Sequence, residues 1–485
     1  MEIHVTRIDG ALQINPAPPY LTKYLQYTHR GMEMVGWKKE TVFTKIQLHR
    51  QCDDGSIVTF RGFFQKVKAL VEKNGDTIVV YDNRTPLPEI DRAAVLNFNF
   101  RSHQIPLMVE LLDKLQQDDG IIWATGGAGK TIIMAAIYAA YNQLNTIIAV
   151  PLATVAKQTF KEFKTRFPDK DIGLMGAGSS CIGQDLTITT SASLEKCSLE
   201  KCKLFMFDEA QASTTQRIQN IVTSMTPIRC IGVTATDSNL FNKGDKVLTA
   251  LYGDRLCEFD YEDAEESGAV VPGVVYFIET PDLPRTYSNI DQSMKWALKM
   301  HDGRNRLIGQ VAAAVPPDWQ CIAFVDHVAD HLVEVAKYMP TETKWMHRSS
   351  SKKESGKFAL TTKQQNQVMD SFANNEFRLL IATDCLRAGV SVDNVRCVIQ
   401  CSGGTSEVEL LQEAYRGSRI MTEATQAKLG VTPKTHFVLV DFDDQHDTIL
   451  ANMSKARRRI YAEQGWTIKD VKSVDEIDFM WDGKT

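Results

Sequence analysis

The segment Ala124-Thr125-Gly126-Gly127-Ala128-Gly129-Lys130-Thr131 joins a short apolar run, Ile121-Ile122-Trp123, to a stretch of helical periodicity over 132–142. That context makes it a phosphate-binding loop. Glycines let backbone amides wrap an anion, the following helix presents its N-terminus, and Lys130 neutralises the outer phosphates. Thr131 supplies a hydroxyl for magnesium. The strict pattern has Gly where Ala124 stands, so the Gly-Lys-Thr ending carries the assignment. Farther on, Leu204-Phe205-Met206-Phe207-Asp208-Glu209-Ala210-Gln211 is an apolar run ending in two carboxylates. At a strand tip, Asp208 would hold magnesium and Glu209 would orient and activate an attacking water. The stretch 173–180 is also rich in glycine but lacks a Lys-Ser/Thr ending, and it reads as a surface loop.

These groups need a scaffold that sets strand tips side by side. From Gly120 onward short apolar runs alternate with helical stretches: Ile121-Ile122-Trp123, then 146–150, 186–190, 204–207 and 230–233. A second series runs through Ile322-Ala323-Phe324-Val325, Leu379-Leu380-Ile381-Ala382, Cys397-Val398-Ile399 and Phe437-Val438-Leu439-Val440. Such alternation predicts two α/β units, each a parallel sheet covered by helices. Ahead of them, turn signals at Asp53-Asp54-Gly55 and Asn74-Gly75-Asp76 bracket a helical stretch over 61–73, and Ile78-Val79-Val80-Tyr81 reads as a strand. That is a small α+β module. The expected division is an accessory domain at 1–97, a first α/β domain at 98–272, a linker at 273–302 and a second α/β domain at 303–485.

At 485 residues the chain has room for about three domains. No run approaches the ~18 apolar residues of a membrane span, and the first twenty residues lack the pattern of a secretory signal. A soluble, cytoplasmic protein is expected. Ten cysteines are scattered without zinc-knuckle spacing, as in a reducing compartment. The net charge of −5 argues against a protein that coats nucleic acid, yet it allows one basic groove.

The two motifs resemble motifs I and II of superfamily 2 helicases, and the rest of that set follows in order. Arg101 and Gln104 resemble the upstream Arg-x-x-Gln that reads adenine. Pro151 through Gln158 is similar to motif Ia, and Thr189-Thr190-Ser191 to the next backbone-gripping motif. Thr234-Ala235-Thr236 resembles motif III, which couples nucleotide to nucleic acid. Ala382-Thr383-Asp384 to Gly389 resembles motif V, and the segment from Gln412 through Arg416 to Arg419 resembles motif VI. The resemblance implies two tandem RecA-like domains using ATP and Mg²⁺. It makes Lys130, Asp208, Glu209, Gln211, Arg416 and Arg419 catalytic. Arg101, Gln104, Gly126, Gly127, Ala128, Gly129, Thr131, Gly389 and Gln412 would bind nucleotide, and Thr131 and Asp208 the metal. Pro151, Gln158, Thr190, Ser191, His347 and Thr383 would touch nucleic acid, with Thr234 and Thr236 coupling. Two departures stand out: Ser391 replaces the usual motif V acid, and Tyr415 replaces the usual motif VI glycine.

The segments 261–272 and Val440-Asp441-Phe442-Asp443-Asp444, and the run from Arg457-Arg458-Arg459 to Gly465-Trp466, resemble the UvsW-type phage helicases. That resemblance implies a monomeric DNA helicase or branch-migrating translocase acting on single-stranded and branched DNA without sequence preference, alongside replication or recombination proteins. An RNA helicase, a restriction-type motor subunit and a DNA scaffold with an inactive ATPase fold are the alternatives. Asp326, His327, Asp330 and His331 look like a metal cluster but read better as the solvated start of a helix. Arg457 to Arg459 could touch phosphates, but a basic helix face is usually just solvated, and that reading is preferred. In residues 1–98 thirteen Lys/Arg face eleven Asp/Glu, a balance that does not announce nucleic-acid binding. Arg61, Lys66 and Lys68 nevertheless lie close together on or beside one predicted helix and could meet duplex phosphates; the alternative is a packing module that stabilises the first α/β unit.

Overall fold

The computed structural model describes the chain except residues 36–37, 97, 99, 101–103, 236–242, 348–357, 359, 384–391 and 482–485. Three loop residues aside, contacts group it into two compact units that divide between Asp260 and Tyr261.

The first unit holds the accessory module and the first RecA-like domain. In the module, strands Glu2–Ile8 and Ala11–Asn15 alternate buried and exposed residues, the pattern of a sheet with one wet face. They lie in a five-stranded sheet ordered His49–Gln51, Ile57–Phe60, Ala11–Asn15, Glu2–Ile8, Thr77–Asp82. Helix Phe64–Lys73 buries Phe64, Val67 and Val71. Ala250, from a helix of the RecA-like domain, joins the module's own core. The chain at Gly62 passes so close to that helix that an added Cβ would sit 2.1 Å from the Thr249 carbonyl oxygen. The two cores are therefore one packed body.

The RecA-like sheet of this unit runs Ser179–Ser180, Ile172–Gly176, Leu186–Thr190, Thr146–Val150, Leu204–Asp208, Arg229–Thr234, Gly120–Ala124, Arg255–Phe259. All its pairings are parallel except that of the two-residue Ser179–Ser180 strand. Strands buried on both faces explain the unbroken apolar runs in the sequence. One expectation is corrected here: 173–176 is not surface loop but part of a buried strand, with Met175 registered against Thr189.

The second unit carries a seven-stranded, wholly parallel sheet ordered Lys344–Met346, Leu379–Ala382, Gln320–Phe324, Val395–Gln400, Phe437–Asp443, Gly273–Glu279, Thr467–Val471. Gly273–Glu279, read as linker, is an interior strand of this sheet, and six of its seven residues are buried. Its apolar run Val274-Val275-Tyr276-Phe277-Ile278 suits that place, but the sequence gives no local sign of its partners.

Candidate nucleotide site

In an open parallel sheet, ligands bind outside the carboxyl ends of the strands. Three neighbouring strands of the first unit end together: Thr234 is registered against Trp123, and Asp208 against Val233. Strand Gly120–Ala124 runs into the glycine-rich loop, where Gly127 and Gly129 adopt positive φ (93° and 82°) and Gly129 caps helix Lys130–Ala140. Gln104 is buried against this turn. Its amide nitrogen lies 3.5 Å from the Gly129 carbonyl, and a Cβ at Gly129 would come within 2.3 Å of it. Only glycine fits there. The loop-end lysine, Lys130, donates to Glu209 Oε1 at 3.2 Å.

Glu209 itself has φ +54°, an uncommon backbone state for a residue with a side chain. From there the bonds continue: Gln211 donates to Glu209 Oε2 at 2.7 Å, and Thr234 donates to Gln211 Oε1 at 2.6 Å. Lys130, Glu209, Gln211 and Thr234 form one chain of hydrogen bonds across three strand ends.

Asp208 is buried, and its oxygen accepts from the Glu209 backbone amide at 3.0 Å. Burial first, then the charge of Glu209, pushes its carboxyl up to about 6, while Lys130 pulls the other way. A buried carboxylate with a like charge beside it is what a hard cation relieves. With the Thr131 hydroxyl at the helix start, the donors are oxygens of the type magnesium takes.

Other expected site residues are placed as follows. Thr190 is buried at the end of strand Leu186–Thr190, and Ser191 opens the short helical turn Ser191–Lys196. Pro151 follows strand Thr146–Val150, and Gln158 is exposed on helix Ala153–Arg166. In the second unit Thr383 is buried just past strand Leu379–Ala382. Helix Glu407–Ser418 carries Gln412 and Arg416 four residues apart on one face, with Arg419 at its C-cap. Arg101, Thr236, Gly389 and the substituted Ser391 lie outside the described residues.

Tyr415 leaves that helix regular. Its ring stacks on Tyr261 at 5.9 Å, meets Trp466 edge-on, and its hydroxyl donates to Gln464 at 2.6 Å. An aromatic cluster therefore fills the place of the usual glycine.

Three expectations are corrected. His347 is fully buried, with Nε2 bonded to the Phe358 carbonyl at 2.5 Å, so it is closed to nucleic acid. Arg457 is fully buried too, paired with Asp441 at 2.9 Å and far from any phosphate role. His331 is buried instead of solvated, its Nδ1 accepting from the Asp326 amide at 3.2 Å. A feature the sequence reading missed is a long two-stranded ribbon in the accessory module, Gln26–Val35 with Lys38–Gln47. Its one local signal was Gly36-Trp37 between two alternating runs.

Residues 97–239 match the family model described as "Type III restriction enzyme, res subunit", and residues 306–421 match "Helicase conserved C-terminal domain". No curated protein matches the chain. Among solved structures, a putative HsdR subunit of a type I restriction enzyme from Vibrio vulnificus is 14% identical, with a TM-score of 0.53 and 93% of each chain covered. Dbp5 of S. cerevisiae, bound to RNA and ADP BeF3, is 15% identical with a TM-score of 0.52, covering 78% of this chain and 92% of that one. UvsW of bacteriophage T4 is 15% identical, covering 97% and 100%, with a TM-score of 0.42. At these identities the likeness is one of fold.

Proposed function

We propose that the chain, with its two matches to helicase-type family models, is an ATP-driven DNA helicase or branch-migrating translocase of superfamily 2. The observation that carries the proposal is the hydrogen-bonded chain Lys130–Glu209–Gln211–Thr234. It ties the lysine that meets the outer phosphates to the segment through which nucleic acid would be sensed. Lys130 and the loop amides bind the triphosphate. Asp208 and Thr131 would hold magnesium, which supplies charge neutralisation on the phosphates. Glu209 orients the attacking water and accepts its proton, and Gln211 holds the Glu209 carboxylate in place. Arg416 and Arg419 are assigned the γ-phosphate contact. Placement of charge, not covalent help, is the main demand of phosphoryl transfer.

ATPase rates with single-stranded, duplex, forked and four-way DNA, beside matched RNAs, test this. Stimulation by DNA, strongest with branched forms, is expected. Stimulation by RNA alone would move the chain to the RNA helicases, and no stimulation would sink the proposal. A second reading, the motor of a restriction-type complex, is favoured by the description of the family model at 97–239 and by the similarity to the HsdR fragment. Fork unwinding measured beside displacement of a triplex-forming strand separates the readings: a motor that translocates on duplex without unwinding it should displace the third strand and leave the fork intact.

A further inference from the structure

Strands Gln26–Val35 and Lys38–Gln47 pair antiparallel from Gln26 against Gln47 to Val35 against Lys38, and join no other sheet among the described residues. At about 3.4 Å per residue this makes a ribbon roughly 30 Å long. An isolated pair of strands is marginal in water, so its base must be held. Tyr27 and Ile46 pack on the module core, and Tyr27 also touches the core of the RecA-like domain. Lys246, on helix Gly244–Tyr252, donates to the carbonyls of Tyr24 and Gln26 and lies over the Tyr24 ring.

The pleat then sorts the residues. Tyr27 and Ile46 share one face, the one that packs at the base. Thr28 pairs with Lys45 and Arg30 with Phe43 on the other, and all four are exposed, Phe43 by 67%. Among the described side chains of this face, Arg30 and Lys45 are cationic and none is acidic. A cationic face with an exposed aromatic ring complements a polyanion that also offers apolar surface. A two-stranded ribbon is also a shape that the major groove of B-DNA, about 12 Å wide, admits. The major groove of A-form RNA is too deep and narrow for it.

Resting on the reading of the chain as a DNA motor, we propose that this outward face is a second nucleic-acid contact. It lies in the major groove of a DNA duplex arm, with Arg30 and Lys45 on phosphates and Phe43 against base edges. The anchoring through Lys246 would fix such an arm to the first RecA-like domain.

The test uses the full chain, as wild type, as Phe43→Ala and as the double variant Arg30→Ala/Lys45→Ala. Binding to a blunt DNA duplex, to the same sequence as an RNA duplex and to single-stranded DNA is titrated against salt without ATP. Loss of two phosphate contacts should weaken duplex DNA binding about tenfold or more and flatten its log–log salt slope by roughly 1.8. Phe43→Ala should weaken duplex binding and leave the slope alone. Single-strand binding and single-strand-stimulated ATPase should stay within about twofold of wild type in all variants. Unchanged duplex affinity in the double variant overturns the proposal, as does an equal loss on RNA duplex. So does unchanged DNA binding with altered sedimentation, which marks the face as a contact between copies. Binding is read without turnover. A wild type whose ATPase ignores nucleic acid would therefore sink the preceding reading and leave this measurement intact.

Discussion

The bond from Lys130 to Glu209 sets what each residue's loss should do. The pair is mostly covered, with side chains 15% and 20% exposed, so ATP must draw Lys130 away from Glu209 to reach the phosphates. Lys130→Ala removes the cation for good. ATP turnover should vanish while nucleic-acid affinity, carried elsewhere, stays near wild type in a filter or anisotropy assay. Near-normal ATPase in a folded variant would remove this loop from the mechanism. Glu209→Gln acts the other way round. It frees Lys130 from its ion pair, so ATP should bind at least as tightly as before. Hydrolysis should fall on the order of 10²-fold or more, because the general base is gone. Single-turnover hydrolysis at the wild-type rate, or weakened ATP binding, would contradict the role assigned here.

Between elements, the join of the accessory module to the RecA-like domain turns on Arg61. The sequence placed it with Lys66 and Lys68 on a phosphate-facing helix. The structure buries it, with its guanidinium on both oxygens of Asp119 (2.5 and 2.9 Å) and on the carbonyls of Pro227 and Ile228. Asp119 also accepts from the Cys230 amide at 2.8 Å. Removing one partner of such a buried pair costs about 3–5 kcal/mol. Arg61→Ala should lower the free energy of unfolding, read from a denaturant titration, by about that much, and a chain beginning at Asp91 should be poorly soluble. A soluble, fully active truncated chain would show the module to be dispensable for packing. Lys66, which meets Asp254 at 3.1 Å, and Lys68 both keep the exposure expected of them. The contrast shows what was legible. The loop at Lys130, the pair Asp208-Glu209 and Thr234 each sit in one contiguous segment at a strand end, so local pattern suffices to find them. The burial of Arg61 depends on Asp119, and that of His347 on Phe358. The ribbon depends on a pairing twenty residues deep, and the sheet role of Gly273–Glu279 on Phe437–Asp443. The partners of Arg61 and of Gly273–Glu279 are distant in the chain and no window of sequence contains them, whereas the His347 bond and the ribbon close within a short stretch but carry only weak local signals.

For the molecule as a whole, the −5 net charge means that general attraction to a polyanion cannot supply affinity. Binding must come from local cationic surface and oriented backbone groups. Contacts of that kind go to phosphates, release counterions and carry no base information. Two consequences can be measured on the wild type. The logarithm of the single-strand binding constant should fall linearly with the logarithm of salt, by about 0.7 per phosphate neutralised. Two single strands of unrelated sequence and equal length should give the same line. A duplex should add contacts at the ribbon, with a slope nearer 0.9 per phosphate, and so respond more steeply than a single strand bound by the motor surface alone. A flat salt response on the duplex would mean that apolar contact dominates there, in which case Phe43 and not Arg30 or Lys45 is the residue to pursue. A strong preference for one sequence would mean that base edges are read within the motor surface itself. That outcome is incompatible with a translocase that steps along any strand it meets, and it would require a different account of Thr190, Ser191 and Thr383.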